Sequence, residues 1–145
     1  MIAALVRKSR AVLDVGVAAL AVARTRRRIA RMPVGSLVGA HGGAVPDRAR
    51  RSLEPSAERR GWRWGAAVDR ALRWLPGDAA CLVRASALHE LLVSHGLPGA
   101  LVRIGVRRDA SGFAAHAWVE LDGTPIAESR LVQGTFEPLD GVTLR

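Results

Sequence analysis

From Cys81 to Leu92 the chain is an apolar run of helical character. Gly96-Leu97-Pro98 stops it, and from Ala100 onward the pattern becomes strand-like and broken by short turns. Ala100 to Val106, Phe113 to Leu121 and the segment reaching Glu128 read as strands, with turns at 107–112 and at Asp122-Gly123. Strands joined this tightly pair antiparallel, because a parallel return needs a crossover of a dozen or more residues. The helix immediately before them is their nearest cover. The expected layout is therefore α+β, a small antiparallel sheet with the Cys81 helix packed on it.

Cys81 is the only cysteine of the chain and stands at the start of that helix. A helix N-terminus favours the thiolate, through its unpaired N–H groups and its dipole. Pro76-Gly77-Asp78 punctuates the entry, and Asp78 as N-cap places Cys81 at the third helical position. A lone cysteine is otherwise a small buried hydrophobe, so a histidine partner decides its role. Of the four histidines, His41 lies in the aperiodic Gly39-Ala-His-Gly-Gly, while His89 and His95 lie farther along the Cys81 helix and cannot fold back on the thiol. His116 is the remaining candidate. In its strand Ala115, Ala117, Val119 and Leu121 share one face, and His116, Trp118 and Glu120 share the other, more polar one.

The following turn tests this reading. A three-residue loop with Gly123 in the left-handed position pairs Glu120 with Thr124 and sets His116 opposite Glu128, with Cβ atoms about 5 Å apart. A carboxylate there can accept the imidazole N–H and hold its tautomer. A two-residue Asp122-Gly123 loop puts the two residues on opposite faces instead. Glu120 and Asp122 stay open as alternative third members.

In the order Cys81, His116, Glu128, the chain resembles the lasso-peptide leader peptidases, bacterial maturation proteases with a transglutaminase-like (papain-like) cysteine protease core. The residues that carry the resemblance are Leu75-Pro-Gly-Asp-Ala-Ala-Cys81-Leu-Val-Arg-Ala-Ser-Ala-Leu-His-Glu-Leu-Leu, then Gly96-Leu-Pro-Gly-Ala-Leu-Val-Arg-Ile-Gly-Val-Arg107, then Ala115-His116-Ala-Trp-Val-Glu-Leu-Asp-Gly123, within about residues 62 to 130. The resemblance implies Cys81 as nucleophile, His116 as base and an acidic residue twelve positions on, here Glu128 where the family usually has aspartate. It further implies a cytoplasmic enzyme that removes the leader of a ribosomally made precursor peptide before an ATP-dependent cyclase closes the ring. The leader is then presented by a separate recognition protein, for which this chain shows no segment. The same fold also supports acyl transfer.

The 145 residues suit a single domain, with an N-terminal helical segment at 1–31, a loop-rich connection at 32–55 and a catalytic core at 56–145. Met1 to Arg31 mimics a signal peptide, but Asp14 interrupts its short apolar run and arginines follow, so a helix packed on the core or on a partner is expected. Within the connection a short helix is expected from Pro46 to Leu53. Ser56 is expected to cap a helix running to Leu75, with Trp64, Val68, Leu72 and Leu75 on its core stripe, and Val142 to Leu144 to add an edge strand. One cysteine excludes an internal disulfide. No zinc spacing or phosphate loop appears, so neither a metal nor a cofactor is expected. The net charge of +9 comes almost wholly from arginines spread along the chain. Without a nucleic-acid-binding motif this reads as composition rather than specific nucleic-acid recognition, with weak membrane-surface contact through the N-terminal arginines as a further option. The readings from other classes are a non-catalytic interaction module and an arginine-rich nucleic-acid or membrane-surface binder.

Overall fold

The computed structural model describes residues 2–31, 53–77, 81–110, 112–129 and 132–139. In chain order the elements are α1 (Ile2–Arg31), α2 (Pro55–Trp74), α3 (Cys81–Ser94), β1 (Ala100–Asp109), β2 (Gly112–Leu121), β3 (Thr124–Ile126), α4 (Val132–Thr135) and β4 (Glu137–Pro138). The sheet runs β3-β2-β1-β4 and every neighbouring pair is antiparallel. Helices α1, α2 and α3 pack on one another, and α3 covers one face of β1 and β2. This is the expected α+β layout.

Small residues let the helices approach closely. α1 buries Ala18, Ala21 and Val22, and α2 buries Gly61, Gly65, Ala67 and Ala71 around Trp64 and Val68. α3 adds Val83, Leu88, Leu91 and Leu92, which meet Val102, Val119, Leu121 and Ile126 of the sheet. Each such leucine contributes roughly 2 kcal/mol relative to leaving it exposed. Polar ties fix the helices laterally: Arg63 of α2 lies 3.3 Å from Asp14 of α1, and Arg24 of α1 lies 3.5 Å from Glu90 of α3. Arg26 donates to the Pro76 carbonyl at 2.6 Å and the Gly77 carbonyl at 3.3 Å, tying α1 to the chain just ahead of α3.

The ends of the helices follow from local chemistry. α2 is capped by Glu54, two residues before the expected Ser56. Pro55 occupies the first turn, and the Glu54 carboxylate accepts both the Ser56 N–H at 3.2 Å and the Ser56 hydroxyl. Proline needs no N–H partner there, so the cap falls to the residue before it. Those bonds from Ser56, the hydroxyl's first, hold the Glu54 carboxyl below its usual range. α3 ends as expected at Gly96, whose φ is 80°. The Leu97 N–H reaches the Leu92 carbonyl at 2.9 Å and the Gly96 N–H reaches Val93 at 3.2 Å, a Schellman closure.

Three readings of the sheet are corrected. The turn expected at 107–112 is shorter, because β1 runs on to Asp109 and β2 begins at Gly112. The β2–β3 loop has two residues, not three: Leu121 pairs with Thr124, and Asp122 and Gly123 have φ of 49° and 79°, a type I′ turn. The face bearing His116 is also not a solvated one, since Trp118 is fully buried and Glu120 nearly so. Gly105 makes this possible, because a Cβ there would lie 2.8 Å from the Trp118 ring and 2.9 Å from Phe136. The edge strand on β1 comes from Glu137–Pro138; the expected helix from Pro46 (apart from Leu53, which is not helical) and the expected strand at Val142 to Leu144 lie outside the described residues. Among the described residues no helix is long and apolar enough to cross a membrane.

Candidate active site

Cys81 is the first residue of α3 as described, partly buried against the core, while Asp78 and its expected capping role lie outside the described residues. Arg84 follows one turn later on the same stripe. Its guanidinium binds Asp69 of α2 with two bonds, Nε to Oδ1 at 2.7 Å and Nη2 to Oδ2 at 3.1 Å. Nη2 also donates to the Ala127 carbonyl at 2.6 Å, and Nη1 lies 3.4 Å from Glu128 Oε2. Burial works against the Arg84 charge, but the bonds and charge of Asp69, then the charge of Glu128, outweigh it and raise the guanidinium pKa.

His116 Nε2 and Glu128 Oε2 are 3.2 Å apart, although the two-residue loop should have put them on opposite faces. The contact is recovered by a kink. β3 stops at Ile126, and Ala127 adopts a left-handed φ of 53°, which takes Glu128 out of the ladder and turns it toward β2. Left-handed alanine costs about 1–2 kcal/mol. The surroundings hold it there: Arg84 grips its carbonyl, and the absent side chain of Gly65 leaves space for its methyl group. Glu120 is differently engaged, accepting from Trp118 Nε1 at 3.0 Å and pairing with Arg103 at 3.1 Å. Asp122 stays in the hairpin turn, with its carboxylate close to Gly99.

The imidazole of His116 is flanked by two aromatic rings, Trp118 stacked at 6.2 Å and Phe136 tilted at 5.3 Å between centroids. A carboxylate accepting from Nε2–H leaves the lone pair on Nδ1, the nitrogen that can then take a proton from a thiol. Among the described residues the Cys81 thiol has no hydrogen bond to His116. Catalytic hydrogen bonds are often long before substrate arrives. The other described histidines are used differently. His95 binds the Leu91 carbonyl through Nδ1 at 2.8 Å and packs at a tilt against the Trp64 ring, while burial, and secondarily Arg28, depress the His89 pKa. His41 lies outside the described residues.

Sequence reasoning missed Arg84, Asp69 and Phe136. A signal for the first was present, because an arginine on the core stripe of an apolar helix must find a carboxylate. Its partner on α2 and the ring supplied from beyond α4 carried no comparable mark.

No group of histidine, cysteine and acidic side chains among the described residues is arranged to hold a metal ion. No curated protein and no solved structure matches the chain. The family model of the transglutaminase-like superfamily matches residues 16–140, nearly the whole chain and more than the motif-bearing part alone. The chain therefore belongs to the transglutaminase-like superfamily, which includes cysteine-dependent peptidases and acyltransferases.

Proposed function

We propose that this protein is a cysteine peptidase that removes the leader from a ribosomally synthesised lasso precursor peptide. The observation that carries the reading is the Glu128–His116 hydrogen bond, formed beside the helix that Cys81 opens. In this reading His116 Nδ1 takes the Cys81 proton, and the thiolate attacks the scissile carbonyl to give a tetrahedral intermediate. Collapse breaks the C–N bond, and the imidazolium returns the proton to the leaving amine. Water, deprotonated by His116, then cleaves the thioester and regenerates the thiol. Glu128 holds the tautomer throughout and stabilises the imidazolium. Backbone N–H groups at the start of α3 serve as oxyanion donors.

The partners in this reading are the precursor's leader, a separate leader-recognition protein and an ATP-dependent cyclase acting on the product, all in the cytoplasm. The test is mass-spectrometric cleavage of the precursor encoded beside this gene, with its recognition protein present. Wild type should release a discrete leader fragment, and Cys81→Ala and His116→Ala should release none. A product bearing an added amine in place of water would identify an acyltransferase. No product from proteins that demonstrably bind one another would make the chain a non-catalytic module.

A further inference from the structure

β2 is ten residues long and pairs with β1 along its whole length, from Gly112 opposite Asp109 to Leu121 opposite Ala100. On its other side, β3 pairs only with Val119, Glu120 and Leu121. The direction of the backbone groups follows from the two hairpins. Pairs that flank a two-residue loop exchange both hydrogen bonds. Gly112 therefore turns its N–H and carbonyl toward β1, and Leu121 turns its own toward β3. The alternation between them is consistent from both ends: even-numbered residues address β1, and odd-numbered ones address the opposite edge. Phe113 and Ala115 thus present their N–H and carbonyl groups on the side of β2 that, among the described residues, β3 leaves uncovered.

Among the described residues this edge carries little of the usual protection. Gly112 to Ala115 contains no proline, lysine or other charge, and Phe113 is 66% exposed. Such an edge is a template for another strand. Its position identifies the strand. The edge opens where Ala127 takes the chain away from β2, and at that point the first turn of α3 reaches the sheet through Arg84, which binds Ala127 and Glu128. Cys81 lies one turn before Arg84, and His116 follows Ala115 directly. Ala115 shares the face of β2 that α3 covers, whereas His116 points to the opposite face. A chain laid along the edge runs past both the helix end and the imidazole, and the side chains of Ala114 and Ala115 are too small to bar it.

We propose that the substrate binds as an added β-strand on this edge, its backbone exchanging hydrogen bonds with Phe113 and Ala115 and its apolar side chains resting on Phe113. The proposal rests on the peptidase reading for the identity of the peptide. Recognition through the main chain leaves side-chain selectivity only at alternate substrate positions.

The experiment uses a fluorescein-labelled peptide spanning the cleavage junction of the neighbouring precursor, bound to full-length Cys81→Ala and followed by anisotropy. Peptides N-methylated at one residue at a time are compared with the parent. Methylation should weaken binding about tenfold, the equivalent of one lost hydrogen bond, with a period of two residues. Ala115→Pro, which removes an N–H not used by β1, should weaken the parent peptide similarly while far-UV circular dichroism stays unchanged. The methylation series keeps the test valid should that variant fail to fold. A flat methylation profile, or no binding up to millimolar peptide, overturns the proposal. Cleavage by wild type with a flat profile leaves the peptidase and removes the strand. A two-residue period without cleavage does the reverse.

Discussion

Gly65 of α2 and Ala127 meet so closely that a Cβ at position 65 would overlap the Ala127 methyl group. Ala127 is also the left-handed residue that directs Glu128 toward His116, so this contact links packing to the site. Gly65→Ala should destabilise the protein by about 1–3 kcal/mol, the usual cost of overpacking. Adding Ala127→Gly should recover most of that, since it removes the overlapping methyl and suits the positive φ. Urea unfolding of the two single variants and the double variant measures the coupling, and additive effects would disprove the contact.

Arg84 should be irreplaceable by lysine. One ammonium cannot bind both Asp69 oxygens and also reach the Ala127 carbonyl and Glu128. Both Arg84→Lys and Arg84→Met should cost about 2–3 kcal/mol, the scale of lost hydrogen bonds to charged groups. If Arg84 positions Glu128, kcat in the cleavage assay should fall further than KM rises, and a pure KM effect would argue against it.

Glu128→Gln keeps the length of the side chain and removes its charge. It should lower kcat by roughly 10²–10⁴-fold, as loss of an orienting carboxylate does elsewhere, with much smaller change in KM. Glu128→Asp shortens the arm by one methylene and should draw the carboxylate away from both His116 and Arg84. A Glu128→Gln enzyme with wild-type kcat would reassign the third position.

His89 sets a pH dependence of stability. Its folded pKa lies below the ordinary histidine value of about 6.5, first because of burial and then because of Arg28, with Glu90 and the bond to Ala100 opposing. As pH falls through that value the unfolded chain takes up the proton first, so stability is full above it and declines below it. The melting temperature should drop between pH 8 and pH 5.5, and His89→Gln should flatten that slope. Parallel curves for the two proteins would exclude His89 as the cause.

The sequence carried the helix-then-hairpins layout and the C-terminal end of α3 because these depend on local period and on Gly96, which chain neighbours decide. The hairpin illustrates where local reasoning stops. Asp122-Gly123 strongly favours a two-residue type I′ turn, and that register alone separates His116 from Glu128. What restores the pair is a left-handed alanine, a residue type that seldom adopts that conformation and so gives no warning. The conditions that hold it, Gly65 and Arg84, lie about 60 and 40 residues away in sequence, where no local pattern reports them. The buried face around Trp118 was missed for the same reason, since Phe136 returns over it from beyond α4.

Arg26 bears on the smallest unit that can work. A chain trimmed to the motif-bearing part from about residue 62 would retain Cys81, His116, Glu128 and Arg84, yet lose the guanidinium that holds the Pro76 and Gly77 carbonyls just ahead of Cys81. The superfamily match begins within α1, at residue 16, and so includes that arginine. On the proposed reading, α1 helps to hold the approach to Cys81, and supplying it as a separate peptide should restore cleavage by a chain trimmed in this way.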